Sequence, residues 1–190
     1  MILLIKYALL FVKLYIWKNY YFNTEKGVHA LCKMLSSTGI ISIKFGQYLY
    51  SRNDVVEERF RYILEPLLSH CRVHALQTSI DTVSNETITI EPTILGSGTI
   101  AQVHACRLTD QETVERLVIK IVHPEIKSLS KEIRVAKFFV RMFQIKIIDW
   151  DSFFQHIEVQ TNMNTEAQNI EIFQKIFRDQ PRILIPKVYR

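Results

Sequence analysis

Gly96-Ser97-Gly98-Thr99-Ile100-Ala101-Gln102-Val103 and, seventeen residues further on, Lys120 within Leu117-Val118-Ile119-Lys120-Ile121-Val122 form the stretch that decides the fold class. A loop that cradles phosphate needs small residues so that backbone N–H groups can approach oxygen closely, and the G-x-G-x-x-A-x-V pattern supplies them. A lysine inside an apolar β-run is costly to bury unless an anion meets it, which makes Lys120 a stronger phosphate-ligand candidate than any surface lysine. Gly96, Ser97, Gly98, Thr99, Ala101, Val103 and Lys120 are therefore the candidate cofactor-binding residues.

Outward from this stretch the texture is β-branched and alternating between Glu86 and Val122: Thr87-Ile88-Thr89-Ile90, Ile94, Val103 to Leu108 and Val114 to Val122. The pattern predicts three antiparallel strands, with Thr109-Asp110-Gln111-Glu112 as the polar turn between the last two. Pro124 follows the last strand, where it can open a helix. Ile126, Leu129, Ile133, Ala136, Phe139, Val140 and Phe143 keep a helical rhythm. So do Phe153, Ile157, Ile170, Phe173, Ile176 and Phe177, which predicts a second helix with Asp151 or Ser152 as its N-cap. On that second helix Asn162, Glu166 and Asn169 fall on one stripe, either a solvated face or a polar site. Arg182 to Val188 reads as an edge strand carrying Pro186.

Before residue 86 the apolar residues recur at helical spacing, Val28, Leu31 and Leu35 in one segment and Phe60, Ile63, Leu64, Leu67 and Leu68 in another, which predicts a bundle of short helices. Met1 to Trp17 is apolar apart from Lys6 and Lys13. A spanning helix needs about 20 apolar residues, and no small-residue cleavage site comes after the run, so neither a transmembrane segment nor a signal peptide is expected. The two lysines are seven apart and share one helical face, with Trp17, Tyr20 and Tyr21 near the end. A helix lying in a bilayer interface and a helix packed on the domain both fit this pattern. Residues 1–22 are the candidate membrane-surface segment.

The 190 residues, 48% of them hydrophobic, are enough for a real core. Lys and Arg number 24 and Asp and Glu 19, a formal charge of +5, without the concentrated basic runs that mark nucleic-acid binding. Nucleic acid is excluded as an expected partner. Three widely spaced cysteines, Cys32, Cys71 and Cys106, suit an intracellular, reducing compartment. His70, Cys71 and His74 crowd together, but no second Cys/His pair completes a tetrahedral site, and no metal site is expected.

Lys44-Phe45-Gly46-Gln47, Ile100-Ala101-Gln102-Val103-His104, Val118-Ile119-Lys120-Ile121-Val122-His123-Pro124, Glu166-Ala167-Gln168-Asn169 and Ile185-Pro186-Lys187-Val188 occur in that order. This colinear set resembles the UbiB/ADCK family of atypical kinase-like proteins from roughly residue 28 to 190. The resemblance implies an α+β fold: a helical N-terminal extension plus a kinase-like N-lobe with a small antiparallel sheet and two packing helices, and no C-lobe. It divides the chain into an apolar helix over 1–24, a helical extension over 25–85 and the kinase-like lobe over 86–190. By similarity Lys44 and Gln47 sit on a helix that folds over the nucleotide site, and Lys120 reaches the α and β phosphates of ATP or ADP held with Mg²⁺. Glu166, Ala167 and Asn169 match a signature on the helix facing that lysine.

The departures from the family pattern bear on activity. Gly96-Ser97-Gly98-Thr99 stands where relatives carry an alanine-rich stretch. Gln160 and Asn162 stand where the family places a glutamate and an aspartate, which removes the charge partner of the lysine. Lys44, Gln47, Gln160 and Glu166 are thus candidates for an incomplete catalytic set. No catalytic-loop Asp with a following Asn and no Asp-Phe-Gly occurs here, so this polypeptide alone is expected to be inactive as a kinase or ATPase. The functional expectations are three: a membrane-associated pseudokinase lobe that engages nucleotide, a family partner or an isoprenoid-type lipid; one half of a split ATP-dependent enzyme whose second lobe is another polypeptide; or a decayed gene product. Kinship implies a link to ubiquinone or isoprenoid lipid metabolism, and with it a mitochondrial, peripheral-membrane location.

Overall fold

The computed structural model describes residues 2–20, 24–69, 73–83, 87–108, 117–146 and 148–189, without the side chains of Lys18, Tyr20 and Ser69. Five helices come first: α1 (Ile2–Tyr20), α2 (Glu25–Thr38), α3 (Ile40–Tyr50), α4 (Pro66–Ser69) and α5 (Leu76–Val83), with a 3-10 segment at Glu58–Leu64. Strands β1 (Ile88–Ser97), β2 (Ala101–Leu108) and β3 (Leu117–Val122) come next, then a 3-10 turn at Pro124–Ser128 and helices α6 (Leu129–Met142), α7 (Trp150–Gln160) and α8 (Met163–Ile176). The α+β class expected from the sequence holds. The chain forms two compact units, residues 1–146 and 147–190.

The helical half of the first unit closes around Val28, Leu31 and Leu35 of α2 and Ile41, Phe45 and Leu49 of α3, with Val56, Ile63, Leu64 and Leu67 completing the core. Thr24 starts α2 by accepting the Gly27 N–H at 3.1 Å. Gly46 lets α3 lie close: a Cβ there would come within 2.4 Å of Leu67 Cδ1 and 3.2 Å of Leu35 Cδ1. Helix α1 settles the two alternatives left by its sequence in part. Tyr7, Leu10, Phe11 and Trp17 are buried on the domain, Phe11 stacking on Phe139 and Phe143 of α6 at 5.3 and 6.0 Å. Ile5, Leu9, Val12 and Ile16, beside Lys6 and Lys13, are exposed. Among the described residues no helix is long and apolar enough to cross a membrane.

One carboxylate lies inside this helical assembly. Glu132 of α6 accepts a hydrogen bond from Tyr7 Oη of α1 at 3.2 Å and stands against Gly39, where a Cβ would meet its Oε2 at 3.0 Å. Burial pushes its pKa up against the opposing hydrogen bonds of Tyr7, Ser128 and the Ile41 N–H. Burial and this neighbouring charge push the Tyr7 phenol far above its usual range.

The three strands pair antiparallel in the order β1-β2-β3. Pro92 sits in β1, an edge strand where its missing N–H is tolerated, and the register slips between Ile90 and Ile94 and again before Gly96. Thr109 to Glu112 and Val114 lie outside the described residues, as do His70 and Cys71. Pro124 opens a 3-10 turn that leads into α6, and the Leu129, Ile133, Ala136, Phe139, Val140 stripe is buried as its spacing predicts.

In the second unit the structure corrects three expectations. The helix expected from Phe153 to Phe177 is two helices, because Asn162 leaves helical geometry at φ −88°, ψ 96° and its side chain accepts the N–H groups of Asn164 and Thr165. Asn162 is therefore a cap rather than part of a stripe with Glu166 and Asn169. The cap of α7 is Asp149, just ahead of the expected Asp151 or Ser152, and it accepts from both of their N–H groups. Residues 182–189 form no strand; the Pro186 carbonyl instead accepts from Gln174 Nε2 of α8 at 2.7 Å, and the proline has no N–H to offer a ladder.

Candidate nucleotide site

Gly96 and Ser97 close β1, Gly98 follows it, and β2 begins at Ala101, so the small-residue stretch leads into the tip of a β-hairpin. The Gly98 N–H donates to the Ala101 carbonyl at 2.8 Å, leaving Thr99 and Ile100 as the turn. Gly96 and Gly98 leave open space beside the turn, where an added Cβ would meet nothing closer than 3.7 Å. Gly96 pairs with Val103 and Val103 with Lys120, which sets a glycine, a valine and the lysine in one row across three strands.

Strand alternation then gives the sheet two unlike faces. Val103 and Ala105 of β2 lie with Val118 and Lys120 of β3 on one side, and Val118 is 62% exposed. Lys120 is exposed as well, which overturns the expectation of a lysine inside an apolar interior. Its strand is short and open on that face, so the lysine is not buried in the sheet. Apolar side chains beside an exposed lysine suit a ligand with a flat apolar part and an anionic part.

The opposite face carries Gln102 and His104 of β2 and Ile121 of β3, and beyond the strand His123, all buried. Here α5 and the residues before it lie against the sheet. Gln102 spans the gap: its Oε1 accepts the His74 N–H at 3.0 Å and its Nε2 donates to the His74 carbonyl at 3.1 Å. His104 Nδ1 reaches the Glu91 carbonyl at 3.1 Å, within the irregular stretch of β1 around Pro92. His74 Nδ1 lies 2.8 Å from His123 Nδ1, and His123 Nε2 lies 2.9 Å from the Gly98 carbonyl at the hairpin tip. Burial lowers the His74 pKa, with the neighbouring His123 and His104 acting in the same direction and Glu125 opposing. From the sequence His74 stands only as a metal candidate, and Gln102, His104 and His123 have no role of their own. A usable signal was present: Gln102 and His104 share one parity in β2, and His123 continues the parity of the buried Ile121 just past β3.

The helical extension reaches the same hairpin. In Lys44-Phe45-Gly46-Gln47, Phe45 and Gly46 face the core while Lys44 and Gln47 are half-buried. Gln47 Nε2 donates to Thr99 Oγ1 at 3.0 Å and to the Leu67 carbonyl at 2.8 Å, tying α3 to the turn. Gly96, Ser97, Gly98, Thr99, Ala101, Val103, Lys120 and Gln47 are thus gathered in the first unit, with Lys44 on the same helix as Gln47. Gln160 ends α7, and Glu166 lies in the first turn of α8, both in the second unit. Among the described residues no group of three His, Cys, Asp or Glu side chains could hold a metal ion.

Residues 74–190 match the family description of the ABC1 atypical kinase-like domain. An ABC1 family protein of Saccharomyces cerevisiae, described as mitochondrial, is 25% identical over 190 residues, which is 84% of this chain and 29% of the relative. A probable protein kinase UbiB of Pseudomonas fluorescens is 26% identical, covering 82% of this chain and 32% of the relative. A putative ABC transporter of Paramecium bursaria Chlorella virus 1 is 29% identical, covering 88% and 37%. The chain spans about a third of the length of these relatives.

Proposed function

This chain belongs to the ABC1 family of atypical kinase-like domains, and from that premise we propose that its first unit binds ATP or ADP through the glycine hairpin and the open face of the sheet. The observation that carries the proposal is the row Gly96, Val103, Lys120, which sets the hairpin and a lysine on one accessible apolar surface. The residues present fit a nucleotide. Val103, Ala105 and Val118 offer apolar contact to a base, Lys120 offers an ammonium to the α and β phosphates, and the small-residue tip allows backbone N–H groups to approach them. Gln47 holds the turn from the other side through Thr99. A bound nucleotide would bring its own Mg²⁺, to which no residues are assigned.

Once nucleotide is bound, the reading we favour is a pseudokinase. Gln160 offers a neutral amide where kinase-type transfer uses a carboxylate to fix the lysine, and Asn162 has its side-chain oxygen engaged in capping α8. Phosphoryl transfer also needs an aspartate to orient the nucleophile and oxygens to hold the metal, which kinase-like folds supply from a second lobe. In the alternative reading such a lobe, on this or another polypeptide, completes an ATP-dependent enzyme linked to ubiquinone or isoprenoid lipid metabolism, as kinship suggests. A mitochondrial location is proposed on the same basis, from the yeast relative described as mitochondrial.

Titration of the protein with ATP or ADP, coupled to thermal denaturation, tests the binding. The expected outcome is a nucleotide-dependent rise in Tm that Lys120→Ala removes while the unliganded Tm stays put. An unchanged response in Lys120→Ala would end the assignment. A second reading, a peripheral membrane association, is favoured by the exposed apolar surface of α1 beside Lys6 and Lys13. Because Tyr7 and Phe11 of that helix are core, its test is Leu9→Glu with Val12→Glu rather than deletion. Loss of sedimentation with anionic phospholipid vesicles, with the fold retained, is expected, and sedimentation unchanged by the pair of substitutions would refute it.

A further inference from the structure

We infer that His74, Ser79 and His123 form a one-way chain of hydrogen bonds that holds the Gly98 carbonyl on the buried side of the hairpin. Their role is to fix the orientation of the Gly98–Thr99 peptide at the hairpin tip, beside the proposed phosphate position. The direction of the chain is set by which atoms can only accept. The Gly98 carbonyl has no proton, so the contact at 2.9 Å requires N–H at His123 Nε2. A neutral imidazole carries one such proton, which leaves His123 Nδ1 as an acceptor. His74 Nδ1, 2.8 Å away, must then be the donor. That leaves His74 Nε2 to accept from the hydroxyl of Ser79 at 2.9 Å. Gln102 Nε2 also lies 3.3 Å from the Ser79 oxygen, but its two hydrogens are committed to the His74 carbonyl at 3.1 Å and to His104 Nε2 at 2.9 Å.

His104 supports the same assignment independently. The Glu91 carbonyl accepts its Nδ1–H, so its Nε2 is unprotonated and accepts from Gln102 Nε2 at 2.9 Å. The Ser79 hydroxyl hydrogen is then committed to His74, and the 3.3 Å approach of Ser79 Oγ to His104 Nε2 carries no proton. Every nitrogen of the three rings has a role, and Ser79, Gln102 and His104 have no exposed surface through which water could substitute. In water the Nε2–H form of imidazole is the commoner tautomer, so the Nδ1–H required at His74 is a specific and checkable consequence.

The effect on the hairpin is geometric. The Gly98–Thr99 peptide is trans, so a carbonyl anchored on the His123 side turns the Thr99 N–H toward the opposite side, the one that carries Val103 and Lys120. The His123 backbone N–H reinforces the anchor by donating to the Ile100 carbonyl at 2.8 Å. His74 and His123 are positioning residues, and their role in ligand binding rests on the proposed nucleotide site, whereas the proton arrangement does not.

The test uses the whole chain with ¹⁵N-labelled histidine at neutral pH. Without nucleotide, long-range proton–nitrogen correlation should show N–H at Nε2 of His123 and at Nδ1 of His74, assigned with His74→Gln and His123→Gln. N–H at Nε2 of His74, or at Nδ1 of His123, overturns the chain. ATP affinity should fall about tenfold in His123→Ala and recover in His123→Gln, whose amide N–H can donate to the same carbonyl. Equal affinity in wild type and His123→Ala overturns the positioning role. A wild type that shows these tautomers yet no response to ATP refutes the nucleotide site and the positioning role with it, while the carbonyl anchor stands. Reversed tautomers with an intact ATP response refute the anchor alone.

Discussion

The two faces of the three-stranded sheet invert the usual arrangement. The buried face carries Gln102, His104 and, just past β3, His123, while the open face carries Val103, Ala105 and Val118 around Lys120. Burying polar groups is tolerable only if each finds a partner, and here α5 and the segment before it supply them through His74 and Ser79. Exposing apolar strands on a small sheet costs stability in isolation and is consistent with a surface that receives a ligand. The contrast teaches that polarity alone does not locate the core of this lobe; hydrogen-bond satisfaction does.

The largest effect should come from breaking the buried face. His104→Leu removes the donor to the Glu91 carbonyl and the nearest of the acceptors of the buried Gln102 amide, and should cost about 1–3 kcal/mol in chemical denaturation. A loss below about 0.5 kcal/mol would mean that the network is not a structural element. Next in size is the response to acid. Burial holds the His74 pKa below the ordinary value of 6.5, so the unfolded chain binds the proton more readily. The contribution of a neutral His74 is present above pH 6.5 and is lost as pH falls toward its lowered folded value. Stability should therefore decline through that window, and His74→Gln should flatten the decline.

Glu132 provides the opposite sign in the same molecule. Its folded pKa is raised above 4.5, so the folded state binds the proton more readily and stability falls as pH rises from about 4.5 through the raised value. Removing this contribution with Glu132→Gln should make the curve fall less over that range, which sharpens the His74 measurement by separating the two groups. The smallest effect belongs to the open face. Val118→Asn, at a 62% exposed position, should change stability by less than about 0.5 kcal/mol while weakening ATP binding. A large stability loss there would show that the face is not free to receive a ligand.

The same contrast separates local from distant information. The three antiparallel strands, the α6 stripe from Leu129 to Val140 and the helical first half arise from local periodicity, and the family resemblance read from the colinear motifs is borne out by the match over residues 74–190. The split between α7 and α8 was missed because apolar spacing continues across it; only the extended backbone of Asn162 and its cap interrupt the helix. The expected edge strand at 182–188 failed because β-branched composition is not pairing, and this segment pairs with no strand among the described residues.

By itself the amino-acid order determined the kind of elements, the glycine hairpin with its lysine strand, and the family. These depend on neighbours within a few residues, where periodicity of two or 3.6 and small-residue turns operate. Only the tertiary structure decided that Lys120 is exposed, that Gln47 reaches Thr99 across 52 positions, and that His74 meets His123 across 49. Those facts depend on which strand faces are covered and on contacts between distant segments. A single imidazole or amide carries no mark in the sequence of the partner that will satisfy it.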